Sequence, residues 1–203
     1  MSKLNLVASL MLFGTLTICS CKKDSNNNNN ANAACVNNTK WLANGHEVVF
    51  VNTPIFIAAD TMYATYEEVS TGVFKSTSSF DDGSVYPAQN NYMQACDNNI
   101  FQAATPDLAN KQEVYRVDGN VGDTWTLTSS STGGHTITTT TTISEKNVPK
   151  TVPAGTFVCI KFHQVSTSSA GGSVTTDTYV NNDVGPVLVD GTSVHYELAR
   201  KNY

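Results

Sequence analysis

The sequence predicts an all-β fold: a single domain whose antiparallel strands follow one another as a curved meander, half-barrel or barrel-like, with few or no helices. β-branched and aromatic residues dominate the chain from Cys35 onward, and Asn, Asp and Gly interrupt them at short intervals. Polar and apolar residues alternate with the period of two that is typical of a strand. No ten-residue helical pattern separates the strands, which argues against parallel βαβ units.

The first half of this domain is expected to contain two hairpins and one isolated strand. Ser70-Thr71-Gly72 and Asp97-Asn98-Asn99 are turn sequences between extended segments. Pro106–Lys111 is the one plausible helix, of one or two turns. The expected strands are Glu47–Asn52, which Pro54 ends or bends, Thr61–Val69, Val73–Phe80, Tyr92–Cys96 and Ile100–Ala103.

The second half carries the clearest strand pattern. Thr138–Thr142 are five consecutive threonines, whose β-branched side chains favour extended backbone. Asp190-Gly191 is the strongest hairpin signal of the chain. Roughly ten strands in total would need a closed, curved or two-layered sheet to bury their apolar face. The expected strands are Glu113–Val117, Thr124–Ser129, His135–Glu145, Phe157–Val165, Ser173–Asn181, Pro186–Val189 and Ser193–Arg200.

Residues 1–20 have the anatomy of a signal peptide. Lys3 supplies a positive charge, and Leu4–Ile18 is a largely apolar run. This run is shorter than the roughly 20 residues that a membrane-spanning helix needs. Its length is that of the apolar region of an export signal, so the mature protein is expected outside the cytoplasm.

The end of that segment, Ile18-Cys19-Ser20-Cys21, resembles the lipobox of bacterial lipoproteins. An aliphatic residue lies three positions before Cys21 and a small residue directly before it. The resemblance implies a diacylglyceryl group on Cys21, cleavage before it and acylation of the new N-terminus. Several acyl chains would anchor the protein stably in the cell envelope, expected at the outer membrane and facing the periplasm or the exterior. The alternative is an ordinary secretory signal with a chance cysteine.

Residues 21–34 are expected to be the lipidated cysteine and an Asn-rich linker, followed by the all-β domain at residues 35–203. Lys22–Ala34 is polar and low in complexity, with nothing to bury. The chain carries a net charge of −5, and cleavage would remove Lys3 and no acid. Because Lys and Arg supply most of the affinity for phosphate backbones, nucleic acid is excluded as an expected partner.

Three cysteines would remain in the domain: Cys35, Cys96 and Cys159. An extracytoplasmic location permits a disulfide. Cys35 lies at the edge of the domain and Cys96 in a polar turn, so we favour a disulfide between them and a buried, apolar role for Cys159. The alternative is that all three are reduced.

Four short motifs in the C-terminal part occur in a familiar order: Gly122-Asp123-Thr124-Trp125, Val152-Pro153-Ala154-Gly155-Thr156-Phe157, Thr178-Tyr179-Val180 and Val184-Gly185-Pro186-Val187. Together they resemble a family of uncharacterised bacterial envelope lipoproteins. The resemblance covers Asp118–Tyr203 and implies a half-barrel similar to that of lipoprotein-localisation factors, in which a concave sheet covered by helices binds lipid or acyl chains. Amphipathic helices for such a cover are not apparent in this sequence.

The motifs themselves have structural interpretations. Gly122 and Gly155 suit turns, while Trp125 and Phe157 are expected to pack against other side chains. Gly185-Pro186 is expected to begin an edge strand, because proline cannot donate to a strand ladder.

Residues capable of metal or acid–base chemistry are scattered, so neither a metal site nor a cofactor is expected. His46-Glu47 begins like a zinc-protease helix, but Phe50 replaces the second histidine. Asp118–Asp123 places oxygens at alternating positions, as in a calcium loop, yet it lacks the later acidic ligand. The paired carboxylates Glu67-Glu68 and Asp81-Asp82 would point to opposite faces of a strand. The remaining histidines are His135, His163 and His195, of which the last two lie on strands whose outward faces could meet.

No catalytic motif is present, and we therefore expect a non-enzymatic lipoprotein with a binding or structural role. One alternative is a carrier of an apolar or acyl ligand in a concave sheet. Another is a module that attaches to glycans or to envelope proteins through an aromatic platform. Candidates for that platform are Tyr63, Tyr66, Tyr86 and Tyr92. A third alternative is a hydrolase whose site is assembled from distant residues.

Overall fold

The computed structural model describes residues 35–52, 61–81, 88–130, 134–192 and 194–203, and these ranges contain twelve strands and no helix. Residues 1–20 and the linker 21–34 with Cys21 lie outside the described residues. No described segment is a helix long and apolar enough to cross a bilayer. The strands are β1 (Glu47–Asn52), β2 (Thr61–Ser70), β3 (Val73–Phe80), β4 (Gln89–Cys96), β5 (Asn99–Ala103), β6 (Gln112–Arg116), β7 (Thr124–Ser130), β8 (Thr136–Val152), β9 (Gly155–Ser168), β10 (Ser173–Asn181), β11 (Gly185–Gly191) and β12 (Val194–Lys201).

All twelve strands form one antiparallel sheet in the order β6-β5-β4-β3-β2-β1-β12-β11-β10-β9-β8-β7. Every pair of neighbours is consecutive in sequence except β1 and β12, which join the first and last strands. The two edges, β6 and β7, are themselves consecutive in the chain, so the sheet curves into a nearly closed barrel. The predicted all-β, barrel-like antiparallel fold is confirmed.

Side chains close the gap between the two edges. The indole Nε1 of Trp125 on β7 donates to the backbone oxygen of Glu113 on β6 at 2.8 Å. Nε2 of Gln112 donates to the backbone oxygen of Thr128 at 3.2 Å. The guanidinium of Arg116 lies 4.9 Å from the Trp125 ring. We call this contact between β6 and β7 the seam.

The two ends of the barrel differ. We call the end that holds Cys35 and the turns after β2, β4, β6, β8 and β10 the Cys35 end, and the other the distal end. Trp41 and Leu42 are fully buried at the Cys35 end, where the Trp41 ring meets Tyr66 edge-on at 5.5 Å between centroids. A Cβ on Gly185 would lie 2.7 Å from the Trp41 ring, so only glycine fits there. The segment before β1, which contains Trp41 and Leu42, therefore closes this end of the barrel, and we call it the plug.

The core extends from this plug along the barrel. Buried side chains from eleven of the twelve strands, all except β7, form one apolar cluster with the plug. The largest side chains that are fully buried include Trp41, Tyr66, Phe50, Phe162, Leu42, Met62, Met93, Ile100, Ile143 and Leu198. Near the distal end, several inward-facing positions carry polar side chains instead.

The tip of the β8–β9 hairpin folds over the outer face of β11 and β12. The backbone N–H of Ala154 at the tip donates to the oxygen of Leu198 on β12 at 3.0 Å. Pro186 to Val189 on β11 are buried on both faces, which an ordinary outer sheet face would not allow. Cys159 is buried although it points away from the interior, whereas Val158, on the same face of β9 as Phe162, is exposed.

Two sequence predictions about turns and edges are wrong. Gly185-Pro186 begins an inner strand, and Pro186 is tolerated because the β10–β11 register shifts beside its partner Val180. Asp190 and Gly191 lie inside β11, and the turn follows them. Gly191 is glycine because a Cβ there would lie 2.9 Å from Thr176 Oγ1 and 3.0 Å from the Thr175 oxygen.

The weak helix predicted at Pro106–Lys111 is also absent. Leu108 and Asn110 have φ of 54° and 55°, values in the left-handed region that a right-handed helix does not contain. The Asp107 carboxylate bonds the Thr105 hydroxyl and accepts from the Ala109 N–H at 3.0 Å, which fixes a turn instead. These hydrogen bonds lower the pKa of Asp107.

Candidate functional site

A group of neutral polar side chains faces the barrel interior near the distal end. Ser76 and Ser78 lie on β3, Asn91 on β4 and Gln102 on β5, and only 1%, 4%, 2% and 4% of these residues is exposed. Alternation along β3 turns both serines inward, while Thr77 between them faces outward. Ser76 is the cross-strand partner of Asn91. We call these four residues the polar cluster.

Hydrogen bonding in the polar cluster is incomplete. Gln102 Nε2 donates to Asn91 Oδ1 at 3.1 Å. The hydroxyls of Ser76 and Ser78 and Nδ2 of Asn91 are closed off from solvent and have no hydrogen-bond partner among the described residues. Buried polar groups in folded proteins are nearly always hydrogen-bonded, so three orphans on two adjacent strands require an explanation.

The opposite wall of the barrel offers a comparison. Thr178 Oγ1 donates to Gln164 Oε1, and Gln164 Nε2 donates to Thr141 Oγ1, each at 3.3 Å. Thr141 and Thr178 are as deeply buried as the serines of the polar cluster. On β8 and β10, therefore, the buried threonines are satisfied through the half-buried Gln164 of β9, whereas the buried groups on β3 and β4 lack such a partner.

The two histidines whose outward faces could meet do not meet. His163 is on β9 and His195 on β12, and β10 and β11 separate them. Each is bonded to an aspartate on a neighbouring strand: His163 Nδ1 to Asp177 Oδ1 at 2.7 Å, and His195 Nδ1 to Asp190 Oδ1 at 3.1 Å. These four residues form one cross-strand row. Within the described residues, no group of three or more His, Cys, Asp or Glu side chains could hold a metal ion.

The row is held by charge pairing. Asp177 also accepts from Lys161 Nζ at 3.0 Å, and this hydrogen bond raises the pKa of Lys161. Burial by itself would lower the pKa of His195, but its bonds to Asp190 and Glu197 outweigh burial and raise it above the ordinary value. Since Asp177 and Asp190 lie directly opposite each other, these cations offset the repulsion between like charges.

The remaining histidines and carboxylates have separate roles. His46 stacks on Tyr203 with 4.0 Å between ring centroids. The possible calcium loop is a tight turn, in which Asp123 Oδ2 accepts from the Asn120 N–H at 2.8 Å. Glu68 Oε1 accepts from the Gly72 N–H at 2.9 Å, while Glu67 lies opposite Lys75.

The described tyrosines do not form the aromatic platform. Tyr66 is buried against Trp41, and burial raises the pKa of its hydroxyl. Tyr63 and Tyr92 are half-buried on β2 and β4, with β3 between them and no shared register position. Tyr86 and Asp82 lie outside the described residues. The prediction that Tyr66 contributes to a surface platform is therefore wrong.

The cysteines occupy structural positions. Cys35 and Cys96 are joined by a disulfide, which ties the start of the described chain to the end of β4. Cys159 is free and buried. Burial raises the pKa of its thiol to about 11, although Lys150 lowers it somewhat, so the thiol stays protonated and unreactive.

The residue pattern of the sequence did not by itself indicate the polar cluster. Its serines stand in Lys75-Ser76-Thr77-Ser78-Ser79, a stretch that reads as an ordinary polar strand. The period of two does separate Ser76 and Ser78 from Thr77, but it does not say which face is interior. The apolar neighbours Phe74 and Met93, which share the inward face, were the available signal.

Comparison with known proteins identifies the architecture. No family model and no curated protein matches the chain. Among solved structures it is similar to a candidate exported protein with a YmcC-like fold from Bacteroides fragilis NCTC 9343, at 13% identity and a TM-score of 0.53, over 79% of this chain and 97% of that one. A candidate lipoprotein from Parabacteroides distasonis ATCC 8503 matches at 12% identity and a TM-score of 0.49, over 79% and 96%. The chain therefore shares its fold with the YmcC-like protein.

Proposed function

We propose that the protein is a lipid-anchored, extracytoplasmic domain without catalytic activity, which binds a small, neutral, hydroxyl-bearing ligand at the polar cluster. The anchor is supported by the lipobox-like Ile18-Cys19-Ser20-Cys21. The names of the two structural neighbours, an exported protein and a lipoprotein, agree with a place in the cell envelope. The outer membrane is the expected site of the anchor.

Three buried orphan groups carry the ligand-binding part of the proposal. Leaving a buried donor or acceptor unsatisfied costs about 1–3 kcal/mol. Ser76, Ser78 and Asn91 are adjacent and share this deficit, whereas the buried hydroxyls of Thr178 and Thr141 are both bonded to Gln164. A ligand that donates to and accepts from these groups would recover the cost. Because the groups are closed to solvent, the ligand must displace the strand ends around them as it binds.

The chemistry of the cluster selects the class of ligand. Serine hydroxyls donate and accept, and an amide nitrogen donates. None of the buried polar residues in the described ranges carries a charge. An ionic ligand would lose its hydration there without a counter-charge. A neutral polyol or a sugar unit fits, which keeps the glycan hypothesis and moves it from the surface to the interior.

An acyl ligand is less well supported. The apolar part of the interior is occupied by side chains such as Phe50, Phe162 and Leu198, which pack in one cluster. Trp41 fills the Cys35 end. The lipid-carrying role that the resemblance to lipoprotein-localisation factors implies would need that space to be open.

The absence of catalysis is part of the proposal. His163 and Asp177 resemble two members of a catalytic triad, but they lie on the outer face of the sheet and not in a cleft. Thr142 on β8 is the cross-strand neighbour of His163, and its hydroxyl is hydrogen-bonded to the Thr124 hydroxyl, with 3.0 Å between the two oxygens. Nothing in this arrangement aligns a nucleophile with the imidazole.

A ligand titration with matched variants tests the proposal. The full-length lipidated protein is titrated with glycerol, glucose, N-acetylglucosamine and palmitate by calorimetry and ligand-observed NMR. We expect a sugar or polyol to bind, and the Ser76→Ala/Ser78→Ala protein to lose about tenfold or more in affinity. Thr77→Ala, on the outer face of the same strand, is the control and should bind normally.

Stability gives an independent signature of the same variants. Without ligand, Ser76→Ala removes an unsatisfied hydroxyl and should raise the free energy of unfolding by about 1 kcal/mol. Thr77→Ala should leave it unchanged or lower it slightly. Binding of palmitate alone, or binding of a sugar that the double variant retains, would contradict the polar cluster as the site.

A further inference from the structure

Three exposed valines lie along one side of the Cys35 end of the barrel, from β2 to β6. Val36, Val69 and Val121 are 55%, 41% and 59% exposed. Each of them lies at one of three successive turns of this end. Val69 lies at the end of β2, and Val121 follows β6. Val36 lies beside the turn after β4, where its backbone oxygen accepts from the Asp97 N–H. We call these residues the valine rim. The other large apolar residue that is exposed in the described ranges, Val158 on β9, also lies near this end, where its backbone oxygen accepts from Asn181 Nδ2 at the end of β10.

The lipid-bearing part of the chain joins the domain at this same end. Cys35 is held to Cys96 by the disulfide, beside Val36. Residues 22–34 separate Cys35 from Cys21, and a chain of that length reaches at most about 45 Å. If Cys21 carries the anchor that is part of the proposed function, the Cys35 end is the end that the anchor holds nearest to the bilayer.

We propose that the Cys35 end rests on the surface of the membrane, with the valine rim in the interfacial layer. Single exposed valines are common and would not bind a membrane alone. A tethered domain, however, meets the bilayer at a high effective concentration, so a weak contact becomes populated. In this orientation, the distal end with its polar cluster faces away from the lipid.

Charge on the same turns specifies the kind of membrane. The exposed carboxylates of Glu68, Asp97 and Asp118 lie beside the three valines. The cations at this end have partners of their own: Lys40 pairs with Asp183 at 3.1 Å and Arg200 with Glu47 at 3.3 Å. Lys201 donates to the backbone oxygen of Tyr203, and the Lys150 ammonium lies 4.0 Å from the centre of the Tyr179 ring. An acidic border is repelled by anionic headgroups. The partner is therefore a zwitterionic lipid surface, such as one of phosphatidylethanolamine, and anionic phosphatidylglycerol should weaken the contact.

Photo-crosslinking from the lipid phase tests this orientation. The full-length lipidated protein is reconstituted in phosphatidylethanolamine/phosphatidylcholine vesicles that contain a lipid with a photoactivatable headgroup, and crosslinked peptides are mapped by mass spectrometry. Peptides with the valine rim should be labelled about fivefold or more over the distal turns 104–111 and 169–172. The Val36→Asn/Val69→Asn/Val121→Asn protein should lose this preference, whereas the control Ala170→Asn, in an exposed distal turn, should keep it. All four positions are exposed, so folding is expected to be unaffected.

The outcomes separate this inference from the function on which it rests. Equal labelling of both ends in the wild-type protein would overturn the membrane contact while leaving the anchor intact. A preference that phosphatidylglycerol increases would overturn the choice of a zwitterionic surface. A Cys21 peptide without acyl mass and a protein that does not associate with vesicles would overturn the anchor itself, and the contact with it. A ligand that still binds the polar cluster in that case would keep the binding proposal.

Discussion

At the scale of single residues, the outer face of the barrel shows how charge is balanced on a sheet. His195 on β12 lies between two carboxylates, with Nδ1 3.1 Å from Asp190 and Nε2 3.2 Å from Glu197. Protonation lets the imidazole donate to both. Such a histidine is a pH-sensitive component of stability.

The raised pKa of His195 predicts a specific dependence on pH. Because the folded protein holds the proton more tightly than the unfolded chain, the stabilisation is fully present below the ordinary pKa of 6.5. It is lost as pH rises through the raised folded value. His195→Gln should therefore flatten the melting temperature against pH on the alkaline side of 6.5. Asp190→Asn should flatten the same curve only in part, because His195 keeps its contact with Glu197. A slope that survives both substitutions would contradict this assignment.

At the scale of elements, the seam differs from every other junction of the sheet. Eleven pairs of strands have backbone ladders, whereas side chains join β6 to β7. An edge strand with free backbone groups is open to unwanted pairing. Trp125 and Gln112 cover these groups, and Trp125 also packs against Phe162 at 6.1 Å between centroids. Element order places β6 beside β7, but side-chain hydrogen bonds hold them there.

Trp125→Phe isolates the contribution of the indole hydrogen bond. Phenylalanine keeps an aromatic ring in the seam and loses the donor to Glu113. The loss should lower the free energy of local opening at the seam by roughly 1.4 kcal/mol, which speeds amide exchange in β6 and β7 by about tenfold. The exchange rates of the other strands should stay unchanged. Trp41→Phe at the Cys35 end is the matched control. Uniformly faster exchange across all strands would show that the seam does not open on its own.

At the scale of the whole molecule, the barrel depends on a few long-range connections. Hairpin neighbours form almost the whole sheet, and the β1–β12 pair is the one ladder that joins its two halves. The plug and the disulfide also join residues that are far apart in the sequence: Trp41 contacts Tyr66 and lies against Gly185. Cys35 and Cys96 are 61 residues apart, and their bond ties the plug segment to β4.

Replacing both bridged cysteines by serine should lower the free energy of unfolding by about 2–4 kcal/mol, because a long closed loop restrains the unfolded chain. Urea unfolding of the wild-type protein with and without a reductant measures the same quantity. The reductant should destabilise the wild-type and the Cys159→Ala protein, and should have no effect on the double serine variant. Equal stability of reduced and oxidised wild-type protein would contradict a bridge.

Much of the fold could be predicted from residue order. Alternation in segments such as Val73–Phe80 and Ser173–Asn181 located the strands within a few residues, since burial of one face imposes a period of two. The turn at Asp97-Asn98 was recognised because both residues adopt φ above zero, which Asn and Asp tolerate. The candidate site could not be predicted in this way.

What the sequence by itself determined was local: strand positions, most turns, the antiparallel connections and the segment that resembles an export and lipidation signal. The tertiary structure decided which face is interior, so that Ser76 is buried while Thr77 is half-buried on the outer face. It also decided that Gly191 serves close packing and that Pro186 lies inside the sheet. The physical reason is that periodicity acts between neighbours in the chain, whereas burial depends on strands that approach from distant positions, such as the hairpin tip over β11 and the plug at the Cys35 end.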